Sequence, residues 1–300
     1  MTRNIRTALV ALSCLGLALC ASCHSDETTA PGPNDQNPID DDTTGTVIIV
    51  DHLTRDIDEI PESAIEAAKA SLHIAYGHTS HGSQLVTGMD GLVGFLGDLY
   101  SFNDGGSGGA LDLRDCPFSG ASDLGNPDRT SWAAATRNYL DANGDINVVI
   151  WSWCGQVGSA SEEDIDTYLG LMSGLEEDYP NVKFVYMTGH LNGSGLEGTL
   201  HQRNEQIRAY CRANEKILYD FADIETYDPD GTYFGDKYPN DNCDYNDGIV
   251  SGNWAIEWQD AHPGEWYSCS AAHSQPLNGN LKAYAAWWLW ARLAGWQGPD

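Results

Sequence analysis

The sequence predicts an α/β domain, a parallel sheet with helices on both faces. Four short apolar runs, Leu72 to Tyr76, Ile146 to Ser152, Val182 to Met187 and Ile217 to Phe221, have the length and continuity of strands buried on both sides. Segments with helical spacing separate them, so strand and helix alternate along the chain.

Each element has its own local reason. Pro61 to Ser71 reads as a helix that starts on proline and spaces Ile65 and Ala68 along one face. The Leu72 strand ends in a turn, Gly77 to Ser83, and a helix runs from about Gln84 to Leu99. Residues 101 to 130 are rich in Gly, Asp and Ser and read as a long loop. Ser131 to Leu140 is a helix, followed by the strand at Ile146. Ser161 caps a helix through Glu177, with Glu163 and Asp164 in its first turn. The strand at Val182 leads to a helix over Leu200 to Asn214, and the strand at Ile217 to an irregular insertion, about 226 to 272. An amphipathic helix, Asn278 to Ala294, closes the chain, and no internal repeat is visible.

The ends and the charge bound the setting. Arg3 and Arg6 precede the apolar run Ala8 to Ala21, a secretory signal too short to span a membrane. Leu19-Cys20-Ala21-Ser22-Cys23 resembles a bacterial lipobox, which implies lipidation of Cys23 after a signal peptide over residues 1–22. Residues 23–46 are Pro-, Asp- and Thr-rich and read as a flexible acidic tether, leaving 47–300 as one domain. Lipidation would place the domain at an outer membrane or cell surface, with the anchor as its only membrane contact; plain secretion is the alternative. Without Arg3 and Arg6, 13 basic residues face 44 acidic ones, a net charge of −31 that repels nucleic acid. Five cysteines lie in the domain, and Cys243 and Cys269, which flank part of the insertion, are expected to pair.

The chemistry gathers at the strand exits, where ligands bind in such sheets. The first strand delivers Gly77-His78-Thr79-Ser80, the second Cys154-Gly155-Gln156, the third Thr188-Gly189-His190-Leu191-Asn192, and the fourth Asp220-Phe221-Ala222-Asp223-Ile224-Glu225. Two glycines around a hydroxyl and imidazoles suit a nucleophile on a tight turn.

In this order the motifs resemble the SGNH, or GDSL-like, hydrolase family. The likeness covers most of residues 70 to 296 and implies a three-layer, flavodoxin-like α/β/α fold and ester hydrolysis. Ser80 stands for the nucleophile, although a strict Gly-Asp-Ser alignment favours Thr79. Gly125 of Leu124-Gly125-Asn126 and Gln156 stand for the oxyanion donors, with the Ser80 N–H. His273, ahead of the terminal helix, stands for the base. The family's aspartate lies three residues before that histidine, where this chain has Ser270, so Asp260 is the candidate third member, with Glu265 also near. His78, His190 and Asn192 are expected to line the substrate site. The implied activity is that of an esterase removing acyl (acetyl) groups from an extracellular polysaccharide, without a cofactor.

The same residues admit other chemistries. His78, His81, His190, His262 and His273 could gather a metal, but His78 and His81 lack the i, i+4 helical spacing, so no metal is expected. Asp220, Asp223 and Glu225 offer the paired carboxylates of a glycoside hydrolase. Trp254, Trp258 and Trp266 in the insertion suit a non-catalytic glycan-binding surface, whereas Trp287, Trp288 and Trp290 suit core packing. The run Asp236 to Asp247 has calcium-loop composition but reads as a solvated acidic loop.

Overall fold

The computed structural model describes residues 47–299; Cys23, the expected signal peptide and the whole of the expected tether lie outside them. Seven parallel strands form the central sheet: β1 (Ile49–Val50), β2 (His73–Gly77), β3 (Phe102–Asn103), β4 (Leu111–Asp115), β5 (Val148–Trp151), β6 (Lys183–Met187) and β7 (Ile217–Tyr219). Their order is β1-β7-β6-β5-β2-β4-β3. The five inner strands, β4-β2-β5-β6-β7, follow the flavodoxin-like order, so the fold is three-layered α/β/α.

The strands alternate their side chains between two cores. Ile74, Tyr76, Val148, Ile150, Val185 and Met187 pack under α1 (Glu62–Ser71), α2 (Ser83–Leu96) and α8 (Pro276–Leu293). Ala75, Val149, Trp151, Phe184 and Tyr186 pack under α3 (Ser131–Ala142), α4 (Glu162–Asp178) and α5 (Thr199–Ala213). Continuous apolar runs are the sequence consequence of this two-sided burial. α4 starts on a capping box, Ser161 with Asp164, as the sequence reading of its N-terminus anticipates.

Three expectations are corrected. The 101–130 segment is not all loop: it holds β3 and β4, whose apolar pattern reduces to Leu111 and Leu113 because Asp112 between them is buried against Arg114 and His73. The terminal helix is not amphipathic; nearly every residue from Leu277 to Leu293 is buried, even Lys282, because α1, α2 and α7 surround it. Cys243 and Cys269 are free: the Cys243 thiol meets Ser274 Oγ at 3.5 Å and the Cys269 thiol meets the Pro276 carbonyl at 3.4 Å.

The insertion also carries order of its own. A short α6 (Phe221–Ile224) leads into it from β7; within it an antiparallel hairpin pairs β8 (Asp244–Asn246) with β9 (Ser251–Asn253), and α7 (Trp254–Ala261) docks on α8. Trp254 is buried in that packing, and Trp258 and Trp266 lie partly buried against the same core, so these three do not form an open sugar-stacking platform. Among the described residues no helix is long and apolar enough to cross a membrane.

Candidate active site

β2 and β5 are neighbours in the sheet, and the chain reverses direction across it between them. This is the switch point where a crevice opens at the carboxyl ends of parallel strands. The Thr79–Ser80 turn leaves β2 there, and Cys154 to Gln156 leaves β5 beside it. Gly77 and Gly82 are required for space rather than for unusual backbone angles. A Cβ on Gly77 would lie 2.2 Å from the Trp151 ring, and one on Gly82 would lie 2.2 Å from Ser152 Oγ. The turn is closed by Ser83, whose N–H donates to the Thr79 carbonyl at 3.0 Å and whose hydroxyl donates to the Ser80 carbonyl at 2.7 Å.

Ser80 and His273, 193 residues apart, come together: Ser80 Oγ lies 3.1 Å from His273 Nε2. His273 is held with φ +64°, a left-handed conformation that costs a non-glycine residue energy and is over-represented at functional sites. Its loop is fixed by neighbours on both sides. Gln275 donates to Asn242 Oδ1 at 2.7 Å, and Ser274 accepts from Asn278 at 2.8 Å.

The other expected members are placed differently. Asp260 is exposed on α7 and makes no hydrogen bond to His273, nor does Glu265, so among the described residues the pair is a dyad without an orienting carboxylate. Gly125 and Gln156 do sit side by side, since a Cβ on Gly125 would lie 2.4 Å from Gln156 Cγ. Both, however, are turned onto Asp123. Its Oδ1 accepts from the Gly125 N–H at 2.8 Å and from Gln156 Nε2 at 3.1 Å, and its Oδ2 accepts the Thr79 hydroxyl at 2.6 Å. Thr79 is thereby engaged, while Ser80 is the hydroxyl facing an imidazole.

The His78 ring is bonded to Asp115 and not to Ser80. Its Nε2 meets Asp115 Oδ1 at 2.6 Å, and its Nδ1 meets the Thr79 carbonyl at 2.9 Å. Burial works to lower its pKa, but its hydrogen bonds with Asp115 and Cys116 outweigh it and push the imidazole up to about 10. A groove of about 320 Å³ opens beside it, lined by Thr79, Phe118, Ala121 and Trp151 among others. Asn192 is exposed and accepts from the Ser194 N–H at 3.1 Å, on the rim of a separate 220 Å³ cavity.

Three groups that the sequence analysis left without a role complete the site. His81 stacks on His190 with ring centroids 3.6 Å apart, and on His273 at 4.6 Å. Its Nδ1 meets Cys154 Sγ at 3.2 Å and its Nε2 meets Asp241 Oδ2 at 2.9 Å. Burial opposes the charged form of His81, yet Asp241 and Cys154 together hold its pKa above the ordinary value. Burial likewise opposes the Cys154 thiolate, but hydrogen bonds from His81, Thr79 and Ser80 hold the thiol below its usual range. The Cys154 sulfur is also 3.8 Å from Ser80 Oγ. Asp241 reaches the rim because the insertion is pinned there: Gly193 N–H donates to the Pro239 carbonyl at 2.9 Å, and the Asp244 N–H donates to Asn240 Oδ1 at 3.0 Å. Asp241 sits in a dense acidic run, which hid it among solvated carboxylates.

The fourth strand exit is structural in this arrangement. Asp220 is paired with Arg208 and Thr188, Asp223 with His52, and Glu225 with Lys282, so none of the three stands free as a glycosidase acid or base. No protein-family model matches this chain, and comparison with curated proteins gives no match.

Proposed function

We propose that the protein is a serine hydrolase acting on ester bonds, with Ser80 as nucleophile and His273 as general base. The observation that carries this reading is the 3.1 Å approach of Ser80 Oγ to His273 Nε2 at the switch point of the sheet. A hydroxyl becomes a competent nucleophile when an adjacent imidazole accepts its proton. His273 takes that proton as Ser80 attacks the acyl carbon, then returns it to the leaving alcohol; water repeats the sequence to free the acid. The Ser80 N–H and the second hydrogen on Gln156 Nε2, the first being on Asp123, are the donors available to the oxyanion.

The substrate class follows from the export signal and from the family resemblance: acyl groups, acetyl above all, on an extracellular polysaccharide, met by a domain tethered at a lipidated Cys23. The SGNH-like reading is favoured by the convergence of the Ser80, Gly125, Gln156 and His273 segments, the four motifs that carry it. Hydrolysis of p-nitrophenyl acetate and of acetylated xylan tests the proposal. Ser80→Ala and His273→Gln are expected to lower kcat by about 100-fold or more each, non-additively. Undiminished turnover in Ser80→Ala would refute it.

A further inference from the structure

His190 poses a question that the hydrolase reading does not answer. Its Nδ1 meets the Leu191 carbonyl at 2.7 Å, which makes Nδ1 the protonated nitrogen and leaves a lone pair on Nε2. That Nε2 is buried with no hydrogen-bond partner, in a residue only 8% exposed. An orphaned buried acceptor is costly and calls for a ligand. The His190 ring is stacked on His81, whose Nε2 meets Asp241 Oδ2 at 2.9 Å, and His81, His190 and Asp241 each offer a ligand atom within 4.8 Å of the other two.

We infer that His81, His190 and Asp241 form a binding site for a divalent transition-metal ion of the zinc class. Two imidazoles and a carboxylate, with a further position open to water, are a common catalytic ligand set for such ions. The outer contacts fit as well. A ligating histidine ordinarily gives its other ring N–H to an acceptor; His190 has the Leu191 carbonyl and His81 has the Cys154 sulfur. The ligands come from the β2 exit, the β6 exit and the insertion, so the ion would tie together three loops. Zinc holds nitrogen at about 2.0 Å, so binding splays the parallel His81–His190 stack into a converging pair and releases any proton on His81 Nε2 to solvent. The sequence reading holds His81 and His190 among five histidines but sets them aside on the spacing of His78, which the structure gives to Asp115, and it lacks Asp241.

The binding inference stands on these residues alone; its use in the reaction rests on the serine-hydrolase reading. The His81 ring is stacked 4.6 Å from that of His273, so the cation would sit near the base that faces Ser80. There it would supplement oxyanion donors that Asp123 partly occupies.

The test uses the full-length chain, freed of metal with EDTA and titrated with Co²⁺ and then Zn²⁺. One Co²⁺ per chain is expected to give visible d–d absorption that Zn²⁺ abolishes by displacement. His190→Ala and Asp241→Asn are each expected to weaken Co²⁺ binding by about 100-fold or more. His262→Gln, on a ring stacked against Trp258 away from the cluster, is expected to leave binding unchanged. The partly exposed Asp241 keeps the test decisive if His190→Ala does not fold. No d–d bands in the wild type, or equal affinity in wild type and both variants, would overturn the site. A sulfur-to-cobalt charge-transfer band lost in Cys154→Ser would overturn the ligand set. Fluorophosphonate labelling of Ser80 reads the hydrolase proposal separately, so failure of either is distinguishable from failure of the other.

Discussion

Replacing Lys282 with methionine strikes a fully buried charge. Lys282 and Glu225 are both fully buried, with Nζ 2.7 Å from Glu225 Oε2, and Nζ also donates to Gln84 Oε1 and sits 3.7 Å above the Phe221 ring. Glu225 in turn accepts the Leu191 N–H through its other oxygen, so the pair links the terminal helix to the loop that carries His190. Methionine keeps the aliphatic stem and its packing, and removes the charge. The carboxylate left behind has no route to water, and breaking one partner of such a pair costs about 3–5 kcal/mol. For a domain of this size that corresponds to a Tm lower by roughly 6–20 °C. Urea unfolding followed by tryptophan fluorescence measures it. The double variant Lys282→Met, Glu225→Gln is expected to regain most of the loss, since a neutral amide still accepts from Leu191. A single-variant loss below about 1 kcal/mol, or a double variant as unstable as the two singles added, would refute the reasoning.

Two further outcomes follow from the site. Asp123→Ala leaves the Thr79 hydroxyl, the Gly125 N–H and Gln156 Nε2 without their shared acceptor, and is expected to cost about 1–3 kcal/mol in urea unfolding; unchanged stability would mean that the three do not depend on it. The His78–Asp115 pair predicts a pH dependence. His78 has a folded pKa raised to about 10 from an unfolded value of about 6.5, so its contribution is complete below about pH 6.5 and is lost as pH rises toward 10. The Asp115 carboxyl is held below its ordinary range, chiefly by His78, so the same contribution is also lost as pH falls below about 4. His78→Gln should flatten the alkaline limb of the stability profile, and an unaltered limb would show that the pair contributes nothing there.

The sheet was legible because strands buried on both faces are apolar throughout; Val148-Val149-Ile150-Trp151 is short, continuous and rich in β-branched residues, which favours a strand over a helix. β4 was hidden because its second residue, Asp112, is buried by charge pairing, which no apolar pattern reveals. Helix α8 read as amphipathic because Lys282, Asn278 and Asn280 imply a wet face. Each is buried against a specific polar partner, Lys282 on Glu225, Asn278 on Ser274 and Asn280 on the backbone of Tyr267. At the site, Ser80 and His273 were legible from motif order. Asp123 and Asp241 were not, because nothing local separates a buried acceptor from the many solvated aspartates of a chain this acidic.

The most direct test of the account is fluorophosphonate labelling of the full-length chain, with the modified residue located by peptide mass spectrometry. A single adduct on Ser80, lost in Ser80→Ala and His273→Gln but retained in Thr79→Ala and Cys154→Ala, is the predicted result. An adduct on Thr79, or no adduct on the wild-type chain, would contradict the assignment of Ser80 and His273 as a working nucleophile and base.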